Sequence, residues 1–215
     1  IINFSSKTAG GGIRFQYLVD NFTDGDYTAT PTWSKLSSAY TCTASVASGS
    51  MTVTNASGSC IFRSSATATY GTWTWKYSES DASGKNAAIA FISSASATSP
   101  AYAISYVHSA SSFTIRLTSA ASLGSMNVPS EYSIIGSSAI LGVPGDSHTY
   151  KVNRTEAGAF EVFRDGVSII TGTDATPVYG NIFAIITGYF GAGPTIVIDA
   201  VATPSTGSFQ SQEFN

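Results

Sequence analysis

Three aspartates lie close together near the start of the chain, at Asp20, Asp24 and Asp26. Gly25 stands among them and permits a sharp bend of the backbone. Carboxylate oxygens at this density suit Ca²⁺, which prefers oxygen ligands. The segment therefore predicts a structural calcium site. The alternative is a plain loop in which Asp side chains accept hydrogen bonds from the neighbouring backbone.

The two histidines, His108 and His148, are far apart in the sequence. Neither lies in a nucleophile motif, and serine is so abundant that no single Ser can be chosen as a partner. Two histidines and two cysteines without ligand spacing do not form a zinc pattern. The histidines therefore predict no catalytic or metal centre.

The cysteines, Cys42 and Cys60, flank a segment rich in Ser, Gly and Ala whose pattern predicts a hairpin. In an oxidising compartment we expect them to form a disulfide across that hairpin. In the loop-entropy model, closing a loop of about 18 residues stabilises the fold by roughly 3 kcal/mol. The alternative is a pair of buried thiols.

Four N-x-S/T sequons mark candidates for N-glycosylation. The pattern also arises by chance in a chain so rich in Ser and Thr, so it is compatible with glycosylation without showing it. The four acceptor residues are Asn3, Asn21, Asn55 and Asn153.

Aromatic residues offer two candidates for stacking on sugar rings. Trp73, Trp75 and Tyr77 alternate along one strand-like segment, and such stripes are usually core. We therefore assign these three to the core. Trp33, beside Pro31 in a predicted loop, is the exposed aromatic that we expect to be available to carbohydrate.

Composition narrows the class of protein. Charged residues make up 11% of the chain, less than half of the usual share of about 25%. The net charge is −3 and no basic cluster occurs, which argues against a nucleic-acid partner. No apolar run is long enough to span a bilayer. The chain starts at Ile1 without Met, as expected of a processed protein that is secreted or displayed on a cell surface.

The elements of secondary structure that position these candidate residues are predicted to be strands. His148–Arg154, Ala159–Arg164 and Val167–Ile170 form a meander, and Asp165-Gly166 gives its second turn a strong hairpin signal. No apolar pattern keeps a helical period, and turn signals recur about every eight to twelve residues, as in sandwiches. We predict an all-β antiparallel sandwich of about a dozen strands. The single domain spans residues 13–202, between an extension (1–12) and a tail (203–215).

Four segments in this order resemble the concanavalin A-like (laminin G-like) jelly-roll superfamily of secreted lectin, adhesion and glycan-active domains. They are VDNFTDGDYTATPTW, GTWTWKYS, HTYKVNRTEAGAFEVFRDG and TIVIDAVA. The resemblance implies two curved antiparallel sheets packed face to face. It also implies a calcium ion where the first and last strands meet, with Asp199 as the fourth oxygen donor beside Asp20, Asp24 and Asp26.

Glycosidases of this superfamily carry three acids along one strand, as E-x-D-x-x-E or E-x-D-x-E. Glu79-Ser80-Asp81 is the nearest match, but Ser83 and Gly84 stand where the third acid belongs, and Glu161 and Asp165 have the wrong spacing. We interpret all four acids as solvated hairpin residues. The missing motif predicts that the chain is not an enzyme.

The ends of the chain are apolar and lie outside the jelly-roll match. We predict that at least one end, with Ile1–Thr8 favoured, packs on a neighbouring copy, so that the chain is a non-catalytic extracellular subunit of a homopolymer such as a filament or surface layer. Otherwise both ends fold back on their own domain. The alternative is a carbohydrate-binding, lectin-like module with glycan partners, and the third hypothesis is a glycan-active hydrolase or lyase. The assembly residues are Ile1, Ile2, Phe4, Phe209 and Phe214.

Overall fold

The computed structural model of the chain describes residues 16–204, apart from residues 30, 37–40, 56–57, 59, 67, 80–85, 94–95, 97, 109–112, 127–129, 141–144, 177–179, 181 and 189–193. The described residues form fifteen strands and one 3₁₀ turn, Leu123–Ser125. The strands are β1 (Gln16–Asp20), β2 (Ser34–Lys35), β3 (Thr43–Ala47), β4 (Ser50–Thr54), β5 (Cys60–Ser65), β6 (Gly71–Glu79), β7 (Asn86–Ser93), β8 (Ala101–His108), β9 (Phe113–Ala120), β10 (Ser133–Ile140), β11 (His148–Arg154), β12 (Ala159–Arg164), β13 (Val167–Thr173), β14 (Ile182–Thr187) and β15 (Ile196–Pro204).

The strands form two antiparallel sheets packed as a sandwich, which confirms the predicted fold class. The eight-stranded sheet has the order β13-β12-β11-β6-β15-β4-β3, and β1 joins it by pairing with β15. The seven-stranded sheet has the order β10-β9-β8-β7-β14-β5-β2. No helix among the described residues is long and apolar enough to cross a membrane.

Local turn chemistry agrees with the sequence. Asp165 and Gly166 both have positive φ, 51° and 83°, as a type I′ turn requires, and they join β12 to β13. Ser48 and Gly49, at 53° and 76°, make the same turn between β3 and β4. Both hairpins hold their strands in the register that alternating burial demands.

The interior between the sheets is filled with aromatic rings, and Trp75 lies near its centre. Its ring stacks on Phe91 and Tyr150 at centroid distances of 6.3 and 6.2 Å and meets Phe183 edge-on at 5.8 Å. Trp73 and Tyr77 point into the same core. The core assignment of this stripe is therefore confirmed.

The central strands of the seven-stranded sheet, β7 and β14, are apolar on both faces. The inner face of this sheet belongs to the aromatic core, and its outer face carries small residues such as Ala88, Ala90 and Ala103, which are fully buried. The connection between β9 and β10 covers this outer face with Leu123 and Met126. Ser105 anchors the cover, because its hydroxyl donates a hydrogen bond to the Met126 carbonyl at 3.1 Å. This cover also contains Tyr132.

Cys42 and Cys60 form the predicted disulfide, with their Cα atoms 5.8 Å apart. Cys42 directly precedes β3 of the eight-stranded sheet, and Cys60 begins β5 of the seven-stranded sheet. The bond therefore joins the two sheets as well as closing the β3–β4 hairpin.

On the side of the sandwich opposite the disulfide, two glycines allow the edge strands β10 and β13 to pack closely. A Cβ atom added at Gly136 on β10 would lie 2.5 Å from Ile170 Cγ2 on β13. One added at Gly172 on β13 would lie 2.6 Å from Ile135 Cγ2 on β10. The two edge strands approach this closely because neither glycine carries a side chain.

Replacement of Gly136 by Ala should loosen this closed side. The new methyl overlaps the β13 side chain and backbone, so we expect Gly136→Ala to lower the free energy of unfolding by about 1–3 kcal/mol. Ser137→Ala, at the exposed next position, is the matched control and should change it by less than about 0.5 kcal/mol. Chemical denaturation measures both. Equal stability of the two variants would contradict the close packing.

Candidate functional site

The outer face of the eight-stranded sheet is polar and open to solvent. Alternation along β4, β6, β11, β12 and β15 places hydroxyl, amide and charged side chains on it, half-buried or exposed. We call this surface the polar face. It comprises Ser50, Thr52, Thr72, Thr74, Lys76, Ser78, Thr149, Lys151, Asn153, Glu161, Phe163 and Asp199.

One row of the polar face runs across β12, β11 and β6. Strand register places Glu161 opposite Asn153 and Asn153 opposite Thr72. The Thr72 hydroxyl donates to Asn153 Oδ1 at 2.9 Å, which orients the amide. Tyr70, two residues before Thr72, is 42% exposed. The row itself thus combines hydrogen-bond donors and acceptors at neighbouring positions, and Tyr70 precedes it in the sequence.

A second row crosses β6, β15 and β4. Lys76 Nζ lies 2.6 Å from Asp199 Oδ2, and the Ser50 hydroxyl donates to Asp199 Oδ1. Partial burial raises the pKa of Asp199, but the hydrogen bonds from Lys76 and Ser50 and the Lys76 charge outweigh it and hold the pKa below its ordinary value. The carboxylate is therefore ionised and fixed in place at neutral pH.

Between these rows, Lys151 lies over an aromatic ring. Its Nζ is 3.7 Å from the centroid of Phe163, the residue opposite it on β12. This cation–π contact covers the face of the ring. Phe163 therefore supports Lys151 instead of offering an open surface to a ligand.

The predicted calcium ligands do not converge. The first and last strands do meet, because Asp20 on β1 pairs with Val201 on β15. However, Asp20 points into the core, while Asp199 lies on the polar face with Lys76.

The described residues contain no group of three or more His, Cys, Asp or Glu side chains that could hold a metal ion. The four-aspartate site is therefore wrong. The ladder of β15 with β6 has a bulge between Ile198 and Val201, and across it the side chains of Asp199 and Val201 point to opposite faces of the sheet. Calcium binding by the loop alone stays a prediction.

The acidic loop contains the local hydrogen bonds that the alternative interpretation expects. Asp24 Oδ1 accepts a hydrogen bond from the Asp26 amide at 3.1 Å, and Asp26 Oδ1 accepts one from the Thr28 amide at 2.6 Å. The hydrogen bonds from the Thr28 amide and hydroxyl hold the pKa of Asp26 below its ordinary value. Both carboxylates form Asx turns, which organise the loop locally.

Trp33 is not the exposed aromatic that the sequence suggested. It is 1% exposed, and its ring packs against Phe22 and Phe183. Its Nε1–H donates to Asp20 Oδ2 at 2.8 Å, while Asp20 Oδ1 accepts from the Phe22 amide at 2.8 Å. A buried carboxylate thus holds the indole in the core, which corrects the assignment of Trp33 to carbohydrate binding.

Glu79 is not the solvated hairpin residue that the sequence suggested, because it is only 5% exposed. It ends β6 inside the sandwich, where Tyr77 Oη donates to Oε2 at 2.6 Å and the His108 ring nitrogen contacts Oε1. His108 ends β8, so this contact joins the two sheets. Tyr77 stacks on Tyr106 at 4.0 Å, and burial raises the pKa of both phenols well above the ordinary value.

The second histidine, His148, lies at the same end of the sandwich as His108, although the two are far apart in the sequence. His148 faces Tyr77 in register, and its Nδ1 is 2.7 Å from Asp165 Oδ2. Partial burial raises the pKa of Asp165, but hydrogen bonds from the Thr149 amide and His148 outweigh it and lower the pKa overall. Arg164 Nη2 contacts the other ring nitrogen of His148. Both imidazoles are thus occupied, and Glu161 and Asp165 lie apart from Glu79.

The sequons differ in accessibility. Asn55 is buried, and its amide donates to the carbonyls of Gly58 and Thr187 at 2.6 and 3.0 Å, so the folded chain does not present it for glycosylation. Asn21 is exposed, and Asn153 is half-buried on the polar face. Asn3 lies outside the described residues, as do the predicted assembly residues Ile1, Ile2, Phe4, Phe209 and Phe214.

Solved structures with the same arrangement of strands decide the fold. The carbohydrate-binding module CBM66 from Bacillus subtilis aligns with a TM-score of 0.60 and 16% identity, covering 79% of this chain and 92% of that one. A Bacillus licheniformis β-glucanase aligns at 0.61 and 18%, covering 93% and 100%. This chain has the concanavalin A-like jelly-roll fold. No family model matches the sequence, and no curated protein matches it.

The fold of the chain is also similar to that of a carrageenase. The κ-carrageenase of Pseudoalteromonas carrageenovora aligns with a TM-score of 0.63 and 13% identity, covering 92% of this chain and 97% of that one. The prediction that the chain is not an enzyme rested on a missing acid motif. It is overturned, because several of the similar structures are glycan-cleaving enzymes and an unmatched motif does not exclude activity.

Titration of Asp20 provides a test of the Trp33 site. Burial, its largest influence, raises the pKa of Asp20 above its ordinary 3.8. Its contribution to stability is therefore complete below that value and declines as pH rises through the folded-state pKa. Asp20→Asn does not titrate, so the stability advantage of the unchanged chain over this variant should shrink between about pH 3 and pH 7.

Asp20→Ala, the companion variant, strips acceptors from two buried N–H groups and should cost about 1–3 kcal/mol per group left unpaired. Thermal or chemical unfolding across pH measures both variants. An advantage over Asp20→Asn that grows with pH would contradict the raised pKa.

Proposed function

We propose that this chain binds uncharged glycans through the polar face. The observation that carries the proposal is the contrast between the two outer faces in the described part of the chain. Leu123 and Met126 cover the small residues of the central strands on the outer face of the seven-stranded sheet, whereas the polar face is half-buried to exposed along its length. Similarity of fold to carbohydrate-binding and glycan-cleaving domains supports a glycan as the ligand class.

The polar face carries the groups that sugar hydroxyls require. Thr72, Asn153 and Glu161 supply donors and acceptors in one row, already oriented by register and by the Thr72–Asn153 hydrogen bond. Preorganised side chains lose little entropy on binding, which favours affinity. Tyr70, two residues before Thr72 and 42% exposed, is the aromatic residue that we propose for stacking on a pyranose.

The charges of the polar face favour an uncharged ligand. Its lysines, Lys76 and Lys151, are balanced by two carboxylates, Glu161 and Asp199. Lys76 is paired with Asp199, and Lys151 is committed to a ring. An anionic sugar that reached Lys76 would also lie beside the Asp199 carboxylate, and repulsion between the like charges would oppose binding.

Binding of the purified chain to defined polysaccharides tests this proposal. We expect β-1,3-1,4-glucan or laminarin to be retained in affinity electrophoresis, and κ-carrageenan not to be. Asn153→Ala and Tyr70→Ala should each weaken binding about 3–10-fold, the effect of losing one hydrogen bond or one stacked ring.

Ile134→Ala is the matched control for Tyr70→Ala. Ile134 is also exposed, at 51%, but it lies on the seven-stranded sheet. Its replacement should leave affinity unchanged. Binding that survives Tyr70→Ala and Asn153→Ala but falls in Ile134→Ala would move the site away from the polar face, and absence of binding to every glycan would refute the function.

Hydrolysis is the second candidate function, favoured by the glycan-cleaving enzymes that share the fold. Glu161 and Asp199 are separated by β11 and β6, so their Cα atoms are about 14 Å or more apart at ordinary strand spacing. Glycosidase carboxyl pairs lie about 5–9.5 Å apart. A hydrolytic pair would therefore use other acids, and release of reducing ends from the same polysaccharides tests it directly.

Secretion and self-assembly stay predictions. The disulfide and the carbohydrate-active structures that share the fold support an extracellular location. The tails on which the filament hypothesis rested lie outside the described residues, so glycan binding has the better support of the two.

A further inference from the structure

The eight-stranded sheet ends in an uncovered strand, β3. It pairs with β4 on one side, in unbroken register from Thr43↔Thr54 to Ala47↔Ser50. No described strand pairs with its other side. Unpaired N–H and C=O groups at such an edge are a template for another strand.

The other edges of the described sandwich are protected. β10 and β13 pack against each other through Gly136 and Gly172. β1 carries a bulge and ends in Asp20, and β2 has only two residues, one of which is charged Lys35. Bulges, charges and short length are the usual defences against edge pairing. In the described part of the chain, β3 is the edge without any of them, since its sequence TASVA contains no charge and no proline.

The sequence of β3 complements itself. The hairpin turn at Ser48–Gly49 makes Ala47 and Ser50 a hydrogen-bonded pair, so Thr43, Ser45 and Ala47 direct their backbone groups toward β4. Ala44 and Val46 therefore direct theirs outward. In an antiparallel pair centred on Ser45, Ala44 would bond Val46 of the second copy, and all five residues would be matched without opposed charges.

We propose that β3 pairs antiparallel with β3 of a second copy of this chain, about a two-fold axis at Ser45. The half-buried side chains of Ala44 and Val46, which pack on the edge of the core, would become covered. The axis is perpendicular to the sheet, so the two polar faces lie side by side and point the same way. Cys42 and its disulfide stiffen the edge immediately before β3.

The dimer is weak in dilute solution. A single pair of five-residue strands buries less than the roughly 1,000 Å² expected of a stable interface. Two coplanar polar faces on one ligand surface bind with avidity, which favours the dimer there. This second step rests on the proposed glycan binding, whereas the strand pairing itself does not.

Cysteine crosslinking captures the pairing without a ligand. Ser45 is exposed on β3, and residues at a non-hydrogen-bonded antiparallel position have Cα atoms about 4.5 Å apart, within disulfide range. Ser45→Cys should therefore give a covalent dimer under mild oxidation of the full chain. Thr43→Cys, whose copies would be about 14 Å apart across the same axis, should not, given a strand rise of about 3.4 Å per residue. Thr43→Cys/Ala47→Cys, matched by the register, should crosslink again.

Peptide mapping must find Cys42 still bonded to Cys60 in each variant. Ser45→Lys, which opposes two charges at the axis, should abolish the association seen by sedimentation at high protein concentration. Monomer from Ser45→Cys, or equal crosslinking of Ser45→Cys and Thr43→Cys, would overturn the pairing. A crosslinked dimer that binds no glycan would keep the pairing and count against the proposed function alone.

Discussion

The central strands of the seven-stranded sheet are apolar on both faces, and the rest of the structure depends on keeping both faces from water. β14 is buried along its whole length, and β7 from Ala87 onward. The inner face is covered by the aromatic side chains of the eight-stranded sheet. The outer face requires a cover of its own, because exposed apolar area costs about 25 cal/mol per Å². Leu123 and Met126 supply it and thereby close one side of the sandwich to ligands.

Because that face is covered over its central strands, the polar face is the open sheet surface in the described part of the chain. Its polarity follows from the same alternation that places Trp73, Trp75 and Tyr77 inside, because their neighbours Thr72, Thr74 and Lys76 must then point outward. The side chains there are paired among themselves, as in Thr72–Asn153 and Lys76–Asp199. Such a surface is ordered before any ligand arrives. Its balance of charges is the feature on which the proposed preference for an uncharged glycan rests.

Local signals predicted much of the fold, whereas the candidate site depended on contacts that local signals do not contain. The Asp165-Gly166 turn, the disulfide and the meander from His148 to Ile170 were all predicted from residue types and spacing. Trp33 was misplaced because its burial depends on Asp20, thirteen positions away. The strands that carry Asp20 and Asp199 pair, as the resemblance implied, but the two carboxylates do not meet. A bulge in β15 decides which face of the sheet Asp199 occupies. The contact of Glu79 with His108 requires the packing of one sheet on the other, which no local pattern predicts.

Methyl NMR of the chain titrated with soluble β-1,3-1,4-glucan tests the central claim most directly, since the two sheet faces carry different methyl groups. Threonine methyls report on the polar face through Thr72 and Thr74, and alanine methyls report on the covered face through Ala88, Ala90 and Ala103. We predict that the threonine signals shift and that the alanine signals do not move. Shifts confined to the alanine methyls would show that the ligand enters beneath the cover, and would contradict the assignment of the polar face as the binding surface.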